Sequence, residues 1–221
     1  FGDQHWWPTT TANKATEIII GAILTQNNSW KNVEKAISNL AAAGMVDFSK
    51  IATAKTEKVA GLVRPSGYYN QKAERLQLFA KYVCDKYSGN VKKLLQKDVG
   101  ELRKELLNLK GIGPETADSI ILYAADKAAF VVDAYTKRIF SRIGVCNEDI
   151  SYEKLQQLIT ANLPPKMHTA QVFGQYHALL VELGKNFCLK KNPLCGKCPL
   201  LACCSHGKRV VINGSKQNSK F

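Results

Sequence analysis

Residues 106–117 read Leu-Leu-Asn-Leu-Lys-Gly-Ile-Gly-Pro-Glu-Thr-Ala. Helical patterns flank the stretch, near 98–108 and 114–126. Gly111 suits the positive φ that ends the first helix, and Pro114 suits the first turn of the second. Ile112, between the glycines, turns inward and pins the turn. The amides that open the second helix, at its positive dipole end, form a place for a phosphate oxygen. Lys110 adds a mobile charge beside them. Gly-x-Gly alone reads as a plain helix–helix turn. The longer pattern Leu-x-Gly-x-Gly-x-x-Thr-Ala, in a basic helical chain, shifts the reading to nucleic-acid backbone binding.

Working outward, helical periodicity dominates. Trp30, Val33, Ile37 and Leu40 share one face, as do Ala73, Leu76, Ala80 and Val83. Further helices are expected near 12–27, 54–63, 134–144, 151–163 and 168–184. The strand-like stretches Phe130-Val131-Val132 and Val210-Val211-Ile212 are short and lack partners. The fold class is all-α, with short connections between packed helices.

The 221 residues suffice for one large domain or two lobes, and 31 Lys and Arg against 18 Asp and Glu give a net charge of +13. That balance favours a polyanion, most commonly nucleic acid. From Lys185 onward no Asp or Glu occurs, although Lys216 and Lys220 read as a solvated tail. No apolar run approaches the roughly 20 residues that span a bilayer. No basic amphipathic helix with a large apolar face suggests a membrane surface.

Twenty residues beyond Gly113, Phe130-Val131-Val132-Asp133-Ala134-Tyr135 leads into a helix carrying Arg138 and Arg142. Asp133 is placed as an N-cap, worth about 1 kcal/mol. A carboxylate held by an apolar segment next to a phosphate-binding hairpin also has a catalytic reading. Arg138 and Arg142 read either as phosphate ligands or as internal partners.

Gly111-Ile112-Gly113 followed by Val132-Asp133 resembles the helix–hairpin–helix DNA glycosylases with a glycine/proline-rich loop and a catalytic Asp. The similarity runs from about Ile18 through Cys204. It implies two helical lobes, one of residues 22–132 with the hairpin, the other of 1–21 and 133–221, with DNA and a flipped base in the cleft between them. It makes Asp133 the catalytic residue and duplex DNA with a damaged base the partner of a monomeric enzyme. The expected setting is cytoplasmic, nucleoid-associated and prokaryotic in type, not secreted.

Five of seven cysteines fall within residues 187–204, FCLKKNPLCGKCPLLACC. Disulfides suit such a protein poorly, and zinc sites usually present two paired-ligand knuckles where this stretch has one. Four thiolates suit a [4Fe-4S] cluster, and the x6, x2, x5 spacing also resembles the endonuclease III cluster loop. Cys188, Cys195, Cys198 and Cys204 are therefore assigned as ligands. Cys203 is a spare thiol, His206 a rival ligand, zinc the alternative metal, and Cys84 and Cys146 core residues. In the family this loop is basic and faces DNA, which implies that role for Lys190, Lys191 and Lys197.

Leu24-Thr25-Gln26-Asn27 resembles the family segment whose Gln fills the duplex void, and Gly67-Tyr68-Tyr69-Asn70-Gln71-Lys72-Ala73 resembles the wedge loop, with Tyr68 at its tip. His5-Trp6-Trp7-Pro8, Trp30, Arg64-Pro65-Ser66-Gly67 and Glu115 together resemble the 3-methyladenine branch, whose pocket stacks an alkylated purine on aromatics. Trp6, Trp7, Pro8, Trp30 and Glu115 are thus the expected base pocket, although ordinary aromatic packing also accounts for at least one Trp. Members of that branch compared most directly lack the cluster cysteines.

Family members that cut the strand place Lys two residues after the second hairpin Gly. The chain has Glu115 there, which implies hydrolytic base removal without strand cleavage, with Lys110 and Lys72 as the remaining amines nearby. Alternatives are an endonuclease III-like enzyme for oxidised pyrimidines or mismatched bases, and a non-catalytic iron–sulfur DNA-binding protein.

Overall fold

The computed structural model describes residues 1–4 and 6–218; His5 and residues 219–221, Lys220 among them, lie outside it, as do the side chains of residues 213–218, that of Lys216 included. The chain divides into two compact units, Trp7–Ala129 and Phe1–Trp6 with Phe130–Phe221. Residues 7–21, expected with the second lobe, belong to the first. The reason is burial: Ile19 and Ile20 are part of that unit's core, and Trp7 and Ala15 pack against it. Residues 130–132, expected with the first lobe, fall in the second.

The unit Trp7–Ala129 contains α1 (Lys14–Leu24), α2 (Trp30–Ala42), α3 (Phe48–Thr53), α4 (Thr56–Val63), α5 (Tyr69–Tyr87), α6 (Val91–Leu95), α7 (Val99–Leu107) and α8 (Pro114–Ser119). Every residue of α1 from Thr16 to Leu24 is buried; its run Ile18–Leu24 is apolar all round, while the buried Glu17 accepts from the amides of Thr10 and Thr11. The helix α2 buries only Val33, Ala36, Ile37 and Leu40, while Trp30 is half-buried. The long α5 packs on α3 and α4 and buries Ala73, Leu76, Ala80 and Val83. Polar caps define starts that periodicity leaves vague: Asp47 accepts from the Ser49 amide, and Asp98 from that of Glu101.

The second unit contains α9 (Ala134–Ile143), α10 (Tyr152–Ala161), α11 (Ala170–Asn186) and α12 (Ser205–Asn218). Its residues 130–132 form no strand; they are an almost fully buried extended lead into α9. Val210-Val211-Ile212, read as strand-like, is part of α12. Among the described residues no helix is long and apolar enough to cross a membrane.

Lys72 is the most unusual core residue, only 1% exposed. Its ammonium donates to the carbonyls of Leu24, at the end of α1, and Ser66, at 2.8 and 2.5 Å. Burial, then the neighbouring Arg75 charge, lowers its pKa to about 8. The unfolded chain holds this proton until about pH 10.4. Between those values it binds more protons than the native state, so the contribution of Lys72 to stability rises with pH. Lys72→Met should cost about 1–3 kcal/mol by leaving two carbonyls unpaired. It should also flatten the pH dependence of urea unfolding between about pH 8 and 10.4.

Candidate active site and nucleic-acid interface

The hairpin between α7 and α8 has the conformation its sequence demands. Gly111 adopts φ +88°, Ile112 is buried, and Pro114 opens α8 with Gly113 extended before it. The hairpin's two helices are locked by Arg103, whose guanidinium meets the fully buried Asp118 at 2.7 and 3.2 Å. Lys110 and Glu115 are exposed. Past Ser119, α8 widens into one π-helical turn over Ile120–Ala124.

Gln26 follows α1 and is tied to this hairpin. Its amide nitrogen donates to the Gly111 carbonyl at 3.0 Å and the Thr116 hydroxyl at 2.9 Å. Its amide oxygen accepts from Arg75. The wedge-like loop presents Tyr68 outward, 71% exposed, at φ +44°, after Gly67 at φ +65°. A non-glycine residue at such a φ costs energy, and a tip held in it is preorganised. Lys72, a potential nucleophile by sequence, lies just behind the loop with its amine in the core.

Trp7 stands edge-on to Trp30, ring centres 5.0 Å apart, and 5.1 Å from Tyr123. It lies over Gly21, where a Cβ would fall 3.0 Å from the indole. The Trp30 indole donates to Glu34, whereas the buried Trp7 Nε1 has no hydrogen-bond partner among the described residues. Of the expected pocket, Trp7 and Trp30 are thus together, joined by Tyr123. Pro8 is exposed. Trp6 belongs to the other unit, edge-on to His177 and under the Lys185 ammonium at 5.1 Å.

Asp133 closes the buried 130–132 segment, which Tyr152 and Gln156 fix by hydrogen bonds to the Val132 amide and the Phe130 carbonyl. One carboxylate oxygen, Oδ1, accepts from both the amide and the hydroxyl of Thr136, at 2.7 and 2.8 Å. The other, Oδ2, faces His177 Nε2 of α11 at 3.6 Å, beyond hydrogen-bond length. Burial pushes this carboxyl up. The His177 imidazole and the Thr136 donors outweigh that push and hold it below the usual carboxylate range.

Cys188, Cys195, Cys198 and Cys204 line one small cavity, with Arg142 and His206 at its wall. Cys203 is exposed, and among the described residues no cysteine is in a disulfide. Among the described residues no three His, Cys, Asp or Glu side chains stand close enough to share a single metal ion. Four thiols around one cavity are a donor set that would suit a [4Fe-4S] cluster, which is held by four cysteine thiolates. Arg142 donates to the Cys188 sulfur and the Leu189 and Lys190 carbonyls, and Arg138 to the carbonyls of Cys188 and Gly184. Both arginines brace the cysteine loop. Lys190, Lys191 and Lys197 are exposed along it.

Residues 20–165 match the family model of the HhH-GPD superfamily of base excision DNA repair proteins. The chain belongs to that superfamily. It is 47% identical, over 92% of its length and 90% of the relative's, to a Methanocaldococcus jannaschii protein that carries the name of a DNA repair glycosylase. It is 30% identical to endonuclease III of Thermotoga maritima, over 87% and 83% of the two chains. Among solved structures, the H. pylori 3-methyladenine DNA glycosylase bound to 1,N6-ethenoadenine superposes with a TM-score of 0.72 and 32% identity, covering 81% of this chain and 87% of that one.

In this HhH-GPD protein three site residues escape sequence reasoning. Tyr123 and Arg75 carry no motif. His177 sits 44 positions from Asp133 with nothing local to link them. The capping role of Asp133 is directly testable. Asp133→Ala should lower the unfolding free energy by about 1–2 kcal/mol at neutral pH. A depressed carboxyl pKa gives stability above its unfolded value that disappears as pH falls through the folded one. The difference between variant and wild type in urea titrations should therefore vanish only below the usual carboxylate range.

Proposed function

We propose that this HhH-GPD protein, a DNA N-glycosylase, removes an alkylated purine of the 3-methyladenine type from duplex DNA by hydrolysis and leaves the strand intact. Two features carry the reading: the buried Asp133 carboxylate, which accepts from the amide and hydroxyl of Thr136, and Glu115 at the position where strand-cutting members of the family it resembles place Lys. A carboxylate forms no imine with the sugar. Lys72, whose amine is buried against two carbonyls, is no nucleophile for DNA.

The chemistry follows from charge. Alkylation at a purine ring nitrogen makes the base cationic and weakens its bond to the sugar, so little acid catalysis is required. The indoles of Trp7 and Trp30, with Tyr123, supply electron-rich faces worth about 0.5–2 kcal/mol each towards a cation. The Trp7 N–H, without a partner among the described residues, supplies a donor. Glu115, exposed in the first turn of α8, is a hydrogen-bonding group for the base or for water. Pro8 and Trp6 complete the expected set without a contact that assigns them a role. When the glycosidic bond breaks, positive charge grows on the sugar. Asp133 Oδ2, the oxygen Thr136 leaves unused, is the one available to stabilise it or to orient water.

The backbone is gripped by the amides of the Gly111–Gly113 hairpin and by Lys110, with Tyr68 as the wedge and Gln26 beside it. Cys188, Cys195, Cys198 and Cys204 would hold a [4Fe-4S] cluster, which supplies structural order to a loop whose Lys190, Lys191 and Lys197 face phosphates. The enzyme acts as a monomer on DNA inside the cell.

Duplexes carrying single defined lesions test the assignment. The expected result is release of 3-methyladenine-type bases, leaving a site cleaved only after alkali, and no efficient covalent trapping with borohydride. Preferential removal of an oxidised pyrimidine, with strand cleavage and a trapped complex, would instead establish the endonuclease III-like activity.

A further inference from the structure

The hairpin has a support that its own sequence does not contain. Arg75 lies on α5, 36 positions before Gly111. A Cβ at Gly111 would fall 2.7–2.9 Å from Arg75 Cγ, Cδ and Nε, so the arginine stem lies directly against the turn. Its guanidinium donates to Gln26 Oε1. An amide whose oxygen is engaged has its orientation fixed, and the Gln26 nitrogen then meets the Gly111 carbonyl and the Thr116 hydroxyl. One side chain thus packs on the glycine and orients the group that bonds both limbs of the hairpin.

We propose that Arg75 is a positioning residue for DNA binding: through Gln26 it holds the Gly111–Gly113 turn in the geometry that receives a phosphate. Gln26 in this state is a brace, with its amide nitrogen committed to the hairpin. Gly111 is required twice, for its positive φ and for the space the Arg75 stem occupies. The inference rests on the hairpin being the backbone grip of the proposed glycosylase.

Hydrogen exchange of peptides covering residues 108–117 tests the brace without DNA, and duplex affinity tests its consequence. In Arg75→Met and in Gln26→Ala, exchange of the turn should quicken about tenfold, the size expected from losing a charge-assisted hydrogen bond. The double variant should be no faster than the quicker single one, because both changes cut the same linkage. The Kd for undamaged duplex should rise in parallel, with equal salt slopes for the two single variants. A fall of about 0.9 in the slope for Arg75→Met alone would mean that Arg75 touches a phosphate itself and would overturn the proposal. Unchanged exchange would do so as well. If Arg75→Met fails to fold, Arg75→Lys and Gln26→Ala carry the same comparison. Failure of the wild type to bind duplex would defeat the functional reading, while exchange alone would still decide the brace.

Discussion

A carboxylate taken out of water stays charged only where other groups replace its hydration. Asp133 meets that condition with a few short-range contacts, and much of its unit is arranged to supply them. Thr136, fully buried one turn into α9, gives both an amide and a hydroxyl to one oxygen. His177 comes from α11 to face the other. The buried 130–132 segment cannot slide, because Phe130 packs on Phe173 and Tyr176 while Gln156 holds its carbonyl. The same α9 carries Arg138 and Arg142 into the cysteine loop. One helix therefore fixes both the ionised carboxylate and the frame of the four thiols.

The unit Trp7–Ala129 solves a different problem, that of keeping exposed backbone stiff. A turn that offers amides to a phosphate, as proposed for Gly111–Gly113, cannot bury them. Its rigidity comes from Ile112 inside, the Arg103–Asp118 pair across its helices, and Arg75 with Gln26 against its glycine. Lys72 does the same for the neighbouring loops by joining α1 to the Ser66 turn. Cationic side chains from α5 and α7 thus stiffen the unit from within, which is one use of basic residues that the net charge alone does not disclose.

What the sequence made legible was local. The hairpin could be read because its geometry is dictated by Gly111, Ile112 and Pro114 in consecutive positions, and α9 because Asp133 caps it from the adjacent residue. Helix faces such as Val33, Ile37 and Leu40 follow from periodicity. Contacts made at long separation were not legible. Nothing near Asp133 announces His177, and nothing near Gly111 announces Arg75. Arg138 and Arg142 bind carbonyls of the chain itself, a role that side-chain type cannot distinguish from phosphate binding. Trp6 and Trp7, adjacent and identical, belong to different units. Val210-Val211-Ile212 has strand-forming residues, yet it continues a helix begun at Ser205, so the local preference yields to its context.

The central claim is that an ionised Asp133, with no amine nucleophile, carries the chemistry. Single-turnover base release by Asp133→Asn, measured beside its affinity for the same damaged duplex, tests this most directly. The asparagine keeps the shape and an oxygen for capping but removes the charge. Base release should fall on the order of 10²-fold or more while affinity stays within a few fold. Release at close to the wild-type rate would make Asp133 a helix cap only and would contradict the account.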